Sequence, residues 1–290
     1  MPIARKHQST ATMHKSLQLA LSCALLASIA YGQATQAPSE KLSDATDRAH
    51  VAEVIARVKS GEIGNSLIET IATARAVEAI PILKDQFARS QDSSVKEKIA
   101  SALVRLGDKD EVYWNLLVKQ ATTAIESDAP DFVRINENDK ASNQQPSQEF
   151  IDWVKAKKLD PQTAASKWLY ADPGSVIDLG VTGDPRAIPL LRRALLSNNF
   201  LIQHAAAQGL AEIRDKDSIL LIIAACKKGP ADSSALIAES LVFFDDPQAQ
   251  SAVDTYIPKD IAKLYRESRA AGFSPYGEKR VVNSSKSQQK

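Results

Sequence analysis

Few side chains in this sequence have the type and spacing that catalysis requires. The sequence contains no P-loop, no HExxH zinc motif, no CxxC pair and no GxSxG nucleophile motif. Beyond residue 32 the only histidines are His50 and His204, so a hydrolase or a thiol enzyme built on Cys226 would need one of them as its base. Cys226 ends an apolar run typical of a buried helical face, and we expect both histidines to be packed or solvated. The sequence predicts no catalytic site and no bound cofactor or metal.

Four aspartates stand at related positions and could suggest calcium: Asp108, Asp184, Asp215 and Asp246. The last three are 31 residues apart. If each interval is one pair of helices, neighbouring carboxylates lie about 8–10 Å apart, too far for shared coordination at about 2.4 Å. Each aspartate instead stands where one predicted helix ends and the next begins. We therefore predict four helix N-caps, each stabilising by about 1 kcal/mol.

The composition excludes several classes of protein. Hydrophobic residues make up 44% of the 290 residues and charged residues 24%, which is typical of a folded globular chain and not of a disordered one. Lysine and arginine number 36 against 35 aspartates and glutamates, so no basic excess indicates a nucleic-acid partner. An alanine-rich chain with only 6% aromatic residues favours closely packed helices over sheets.

The first 32 residues have the layout of a secretory signal peptide. Arg5, Lys6 and Lys15 precede an apolar run over residues 17–31, and the small residue Gly32 precedes the expected mature start at Gln33. Translation could begin at Met1 or at Met13. The run is too short to cross a hydrocarbon layer of about 30 Å, so we expect no stable membrane insertion after cleavage. The predicted location is secreted, in the periplasm.

An internal repeat organises the rest of the chain. Three segments align without gaps, with Leu and Asp at matching positions: residues 179–185, 210–216 and 241–247. A fourth copy lies upstream at residues 103–108. In each unit, apolar residues at helical spacing predict two antiparallel helices, such as Ala187, Leu190, Leu191 and Ala194 followed by Ile202, Ala206, Leu210 and Ile213. One pair is too small to bury its own apolar face, so stacked pairs predict an all-α solenoid.

These residues carry a resemblance to a known family. The Asp-Pro-x-Ala-Ile-Pro-x-Leu start at residues 184–191, the alanine-rich second helix and the 31-residue period resemble the short HEAT-like repeats first associated with phycobilisome lyases. The resemblance covers about residues 67–255 and implies an armadillo-type, right-handed superhelix of helix pairs. HEAT-like repeats serve mostly as protein-binding scaffolds. The lyase members attach bilin pigments, but nothing beyond the repeat extends that chemistry to this chain.

The predicted organisation has five parts beyond the repeat itself. They are a signal peptide at 1–32, a linker and capping helix at 33–66, a loop-and-helix insertion at about 125–172, a capping helix at 256–272 and a disordered tail at 273–290. Trp153 and Trp168 lie in the insertion, where they either contact a partner or pin the insertion to the solenoid. Pro81 and Pro189 fall slightly inside their first helices, which they should kink or restart.

A row of side chains on the second helices is the predicted binding face. Seven and three residues before each Asp lie three pairs on a common helical face: Ser101 with Arg105, Gln208 with Glu212, and Glu239 with Phe243. The row is mixed and mildly acidic. Phe243 either anchors a partner or packs on the C-terminal capping helix.

The sequence thus predicts a non-catalytic scaffold of the cell envelope that binds a protein or peptide. Two alternatives from other classes stay open. One is an enzyme, or an enzyme-maturation factor of lyase-like type, with a pocket near the insertion. The other is an envelope protein that binds glycans through its aromatic side chains.

Overall fold

The computed structural model describes residues 44–127, 129–130, 148–158, 173–228 and 231–278. The predicted signal peptide, both candidate start methionines, Trp168 with its predicted helix, and residues 279–290 lie outside these ranges. Within them the chain forms α-helices and short 3-10 turns and no β-strand. The α-helices are α1 Asp44–Lys59, α2 Asn65–Thr73, α3 Ile80–Arg89, α4 Ser93–Arg105, α5 Glu111–Glu126, α6 Gln148–Ala156, α7 Gly174–Gly180, α8 Ile188–Ala194, α9 Phe200–Ile213, α10 Ile219–Cys226, α11 Ala231–Glu239, α12 Pro247–Tyr256 and α13 Lys259–Ala270.

The helices stack as consecutive antiparallel pairs. The pairs are α1/α2, α3/α4, α5/α7, α8/α9, α10/α11 and α12/α13, and the members of each pair contact one another. The second helices form a continuous layer in which α2, α4, α7, α9 and α11 pack side by side. Helix α13 continues the layer by packing on the 3-10 turn Ser240–Phe243, which follows α11. This arrangement confirms the all-α solenoid that the repeat predicts.

One continuous apolar core runs between the two layers. It extends from Val54 on α1 to Ala262 on α13, and both are buried. Leu191 on a first helix and Leu210 on its second helix are fully buried, as the repeat pattern predicts. Burying a leucine or isoleucine side chain stabilises by about 1.5–3 kcal/mol relative to leaving it exposed, so the stacking of pairs is the main source of stability.

Two repeats begin with the same local structure. The 3-10 turns Val77–Ala79 and Pro185–Ala187 lead into α3 and α8, and Pro81 and Pro189 stand in the first two positions of those helices. Proline is tolerated there because its missing N–H would have no helical partner. The prolines restart the helix, which is one of the two outcomes that the sequence predicts.

Two of the four repeat aspartates are N-caps. Asp184 accepts a hydrogen bond from the backbone N–H of Arg186 at 2.9 Å, and Asp246 accepts one from Gln248 at 2.8 Å. Each cap precedes a proline at the next position, which has no N–H to satisfy.

The other two aspartates bind cations of the preceding first helix, so the prediction of four caps is wrong for this pair. Asp108 pairs with Lys84 at 2.7 Å, and the cap of α5 is Asp110 instead. Asp215 binds the Nε/Nη2 edge of the Arg192 guanidinium, with contacts of 2.7–3.0 Å. These two carboxylates therefore make charged contacts between elements, and neither closes the first turn of the helix that the repeat predicts it to cap.

The insertion lies inside one repeat, between its first and second helix. Helix α5 runs to Glu126 and packs on α7, which begins at Gly174, so the pair closes across the inserted residues. In the described part of the insertion, α6 buries Phe150 and Val154, and Trp153 stacks on Phe150 with ring centroids 5.8 Å apart. The repeat is therefore extended at its internal turn, and the order of pairs is unbroken.

The chain after α13 departs from the disordered tail that its composition predicts. Residues 273–278, which we call the strap, fold onto the second-helix layer. Ser274 is 4% exposed, and its backbone N–H donates to the Glu278 carbonyl at 2.8 Å. The polar composition suggested disorder, but long-range contacts to α4, α7 and α9 hold these six residues.

Candidate binding site

The strap covers the middle of the predicted binding row. Arg105 on α4 and Gln208 on α9, expected to face a partner, contact the strap instead. Gln208 Nε2 donates to the Pro275 carbonyl at 3.1 Å, and Arg105 Nη2 lies 2.7 Å from Glu278 Oε2. Glu212, one turn beyond Gln208, acts electrostatically on both Tyr276 and Glu278. We call this surface of α4, α7 and α9 the strap site.

Two glycines make room for the strap. Gly180 on α7 faces Gly209 on α9, and a Cβ built on Gly180 would come within 2.8 Å of Gly209 Cα and would clash with the Tyr276 hydroxyl. Without side chains the two helices approach closely, and the Tyr276 hydroxyl lies beside their crossing. That hydroxyl is buried and has no hydrogen-bond partner within the described ranges, so burial raises the pKa of Tyr276 well above its usual value.

The base of the strap site is joined by a buried ion pair. Lys98 Nζ on α4 lies 2.6 Å from Asp178 Oδ1 on α7, with 14% and 7% of the two side chains exposed. Ser101, which belongs to the predicted row, is buried and donates to the Asp178 carbonyl at 2.8 Å. These contacts fix α4 against α7 and thereby place Arg105 beside the strap.

Among the described residues, carboxyl groups outnumber cations at the strap site. The cations there are Lys98 and Arg105, and the carboxyls are Glu69, Asp178, Glu212 and Glu278. Arg105, with 9% of its side chain exposed, pairs with both Glu69 on α2 and Glu278. One cation therefore serves two acids, and a third acid lies close by.

This excess of acids keeps a proton on the strap. Burial raises the pKa of the Glu278 carboxyl to about 8, and its hydrogen bond with Glu69 adds to the shift. Burial also opposes ionisation of Glu69, but Arg105 and its hydrogen bonds together lower the pKa of that carboxyl. Of these two coupled carboxyls, Glu278 therefore has the raised pKa and Glu69 the lowered one.

The C-terminal end of the predicted row is covered by α13. The Tyr265 hydroxyl on α13 donates to Glu239 Oε1, and burial raises the pKa of Glu239 to about 7. Phe243 lies in the 3-10 turn against which α13 packs, and it joins the main core. Neither Glu239 nor Phe243 is an exposed contact residue, because α13 packs against both of them. Of the two alternatives for Phe243, the structure has the one in which it packs on the C-terminal helix.

The predicted aromatic surface is not brought to the strap site. Trp153 packs in the small cluster of α6, and Trp168 lies outside the described residues. Trp114 on α5 is buried in the main core, where the Arg186 guanidinium lies 4.2 Å from its ring centroid. The described tryptophans thus have packing contacts at separate places.

The side chains that could do chemistry are isolated. Burial lowers the pKa of His204 to about 4, and its Nε2 has no hydrogen-bond partner in the described part of the chain. Burial raises the pKa of the Cys226 thiol to about 12. No group of three His, Cys, Asp or Glu among the described residues could hold a metal, and no helix there is long and apolar enough to cross a membrane.

Sequence reasoning missed the strap side chains that lie at this candidate site. Tyr276 and Glu278 lie in a tail rich in Ser, Gln and Lys, whose composition predicts disorder. The available signal was the pair of aromatic residues, Phe273 and Tyr276, within an otherwise polar stretch. A second signal was Gly180 and Gly209, small residues on the apolar faces of two second helices.

The fold and the site define a helical-repeat scaffold. A family model described as PBS lyase HEAT-like repeat matches residues 202–228, which span most of α9 and all of α10. The match thus joins the second helix of one pair to the first helix of the next. Comparisons with the curated proteins and with the solved structures found no match.

Proposed function

We propose that this chain is a non-catalytic scaffold of the cell envelope that binds a protein or peptide through its second-helix layer. The observation that carries the proposal is the strap: the layer already holds a short turn of chain, in which the Gly277 N–H donates to the Ser274 carbonyl at 2.9 Å. It does so with a side-chain donor to a backbone carbonyl, from Gln208, and with a guanidinium contact from Arg105 to the Glu278 carboxyl. Such contacts suit a short peptide that docks as a turn, because a turn leaves some of its carbonyls without an internal partner.

The isolation of His204 and Cys226 supports the non-catalytic part of the proposal. A histidine that burial keeps neutral, with no partner for its Nε2 among the described residues, and a thiol that burial keeps protonated lack the activation that nucleophilic catalysis needs.

Selection from a displayed library of random peptides tests this function. The full chain and its Tyr276→Ser variant are each immobilised, and we expect a convergent peptide family on at least one of them. Glu212→Lys, which reverses a charge at the strap site, should weaken binding of that family. Absence of any convergent family on both proteins, or a family indifferent to Glu212→Lys, would contradict the proposal.

Export is a separate part of the proposal. When the full chain is produced in a bacterium that exports proteins, mass spectrometry of the envelope fraction should show an N-terminus at Gln33. A chain that keeps residues 1–32 and stays in the cytoplasm would contradict it.

A further inference from the structure

The strap is a ligand that is covalently attached to the protein it occupies. It begins directly after Gly272, whose N–H bonds to Arg269 at the end of α13. A short tether of this kind gives an effective concentration in the millimolar range. Contacts too weak to hold a free peptide at micromolar concentration are therefore sufficient to keep the strap in place.

Within the described chain, few hydrogen bonds join the strap to the solenoid. Apart from those with Gln208, Arg105 and Glu69, the hydrogen bonds of the strap there join its own residues or the end of α13, as when Ser274 Oγ accepts from the N–H groups of Tyr276 and Glu278 at 3.2 Å. Neither aromatic side chain of the strap, Phe273 or Tyr276, belongs to the main apolar core of the described chain. Removing the strap would therefore leave the stacked pairs intact.

The site nevertheless has specific features that select a ligand. The Gly180 and Gly209 crossing leaves space beside the helices for an aromatic side chain. Arg105, almost fully buried, presents its guanidinium two residues further along the strap. Glu69 and Glu212 disfavour a second full negative charge there, so a protonated acid or an amide fits better than a carboxylate.

We propose that the strap site binds, in trans, a peptide segment that docks as a turn, with an aromatic residue followed two positions later by a glutamate or glutamine, and that the strap is the occupant this segment displaces. The inference rests on the proposed function and adds the chemistry of the ligand and the means by which the free protein covers its site. The full chain is then a binder whose own tail lowers its apparent affinity.

The probe is a fluorescent peptide with the sequence of residues 272–279, Gly-Phe-Ser-Pro-Tyr-Gly-Glu-Lys. Its binding to the full chain is measured by anisotropy at pH 6.5. The released variant is Tyr276→Ser, which withdraws the ring from the glycine crossing. The matched control is Tyr256→Ser on α12, a partly buried tyrosine that packs on the core away from the strap. A control peptide carries Ser for its Tyr and Lys for its Glu.

Freeing the site removes the competition of the tethered strap. We expect the peptide to bind Tyr276→Ser at least about tenfold tighter than the wild-type chain or Tyr256→Ser, because the apparent affinity scales with the fraction of open sites. The control peptide should bind no more tightly to Tyr276→Ser than to the wild type. Equal affinity of the peptide for wild type and Tyr276→Ser, or equal binding of the two peptides, would overturn the inference.

A second substitution, added to the Tyr276→Ser variant, tests where on the protein the strap peptide binds. Arg105→Met should reverse the gain, and Gln208→Ala should reverse part of it; the Gln208 variant keeps the test valid should the Arg105 variant fail to fold. Tight binding that survives Gln208→Ala and Arg105→Met would place the peptide elsewhere and overturn the inference. If library peptides bind at the strap site and the strap peptide does not, the inference fails and the proposed function stands. If neither binds, both fail.

Discussion

Helix α13 and the strap cover neighbouring stretches of the same helical layer, and their contacts differ in kind. Helix α13 contributes Ala262 to the core, donates from Tyr265 to a buried carboxyl, and donates from Arg269 to the Val242 carbonyl at 2.7 Å. Neither Phe273 nor Tyr276 of the strap belongs to the main core, and the buried Tyr276 hydroxyl has no partner in the described ranges. The polar groups of α13 named here all have hydrogen-bond partners, whereas the strap buries a hydroxyl that has none in the described ranges.

The difference teaches which cover is structural. Burial of apolar area with every polar group satisfied stabilises a permanent contact. An unsatisfied hydroxyl and an excess of carboxyls reduce the net gain of docking, so that the cover can be displaced. Substitutions in the second-helix layer, in α13 and in the strap should therefore change stability by different amounts.

The largest effect is expected below the strap, in the layer itself. Lys98→Met leaves the Asp178 carboxylate buried without its cation, and breaking such a pair should lower the free energy of unfolding by about 3 kcal/mol or more. Urea denaturation of the full chain measures it. Lys263→Met on the exposed side of α13 is the control, with an expected change below about 0.5 kcal/mol. Similar losses in both variants would show that the Lys98 pair does not hold the layer.

Removing one hydroxyl from each cover compares them directly. Tyr265→Phe deprives the buried carboxyl of Glu239 of its donor and should cost about 1–3 kcal/mol in unfolding free energy. Tyr276→Phe removes a hydroxyl that has no partner in the described chain, so its effect should stay within about 0.5 kcal/mol of zero or be stabilising. Thermal and urea unfolding measure both. A larger loss for Tyr276→Phe than for Tyr265→Phe would break the comparison.

The pH dependence of stability isolates the proton on the strap. The pKa of Glu278 is raised from 4.5 to about 8, so its contribution is complete below pH 4.5 and is lost as pH rises through 8. One linked proton changes the free energy by at most about 1.4 kcal/mol per pH unit. Glu278→Gln should remove this part of the decline.

Other groups facing Glu278 remain in both proteins, as Glu69, Glu212 and Arg105 are unchanged. Glu239, whose pKa is raised to about 7, also loses stability as pH rises, and it does so equally in both proteins. Unfolding curves from pH 5 to 9 for wild type and Glu278→Gln therefore differ only by the strap. Parallel curves would contradict a protonated Glu278.

The smallest effect is the loss of one neutral hydrogen bond. Gln208→Ala should weaken docking of the strap by about 1 kcal/mol and speed hydrogen exchange at the amides of Tyr276, Gly277 and Glu278. Gln250→Ala is the matched control, because Gln250 donates in the same way to the Phe244 carbonyl at 3.0 Å near α13. Unchanged strap exchange in Gln208→Ala, or the same increase in both variants, would exclude Gln208 as a specific strap contact.

The sequence predicts the stacked pairs because their determinants are local. Apolar residues at helical spacing, and prolines at two helix starts, specify each helix pair within about 30 residues. The same pattern recurs in successive repeats along the chain. The roles of the aspartates were predicted only in part. Asp184 and Asp246 are caps, whereas Asp108 and Asp215 meet cations that sequence spacing alone does not place beside them.

The cover of the second-helix layer could not be predicted, because it depends on distant partners. Arg105 and Glu278 are separated by 173 positions. Glu239 has the polar character of a surface residue but is half-buried, and its carboxyl accepts a hydrogen bond from Tyr265 on α13. The side chains of the predicted row lie on second helices or, for Phe243, in the turn that follows one, but their exposure depends on where the C-terminal residues pack.

The insertion between α5 and α7 has a consequence for how this protein could diversify. Its two ends are anchored by helices that pack on each other, so the separation between them is set by the hairpin and not by the intervening residues. Lengthening or exchanging those residues would leave every other pair in register, since loop closure costs rise only slowly with length. Foreign sequence could therefore be inserted at the turn between α5 and α7 without changing the packing of the other helix pairs.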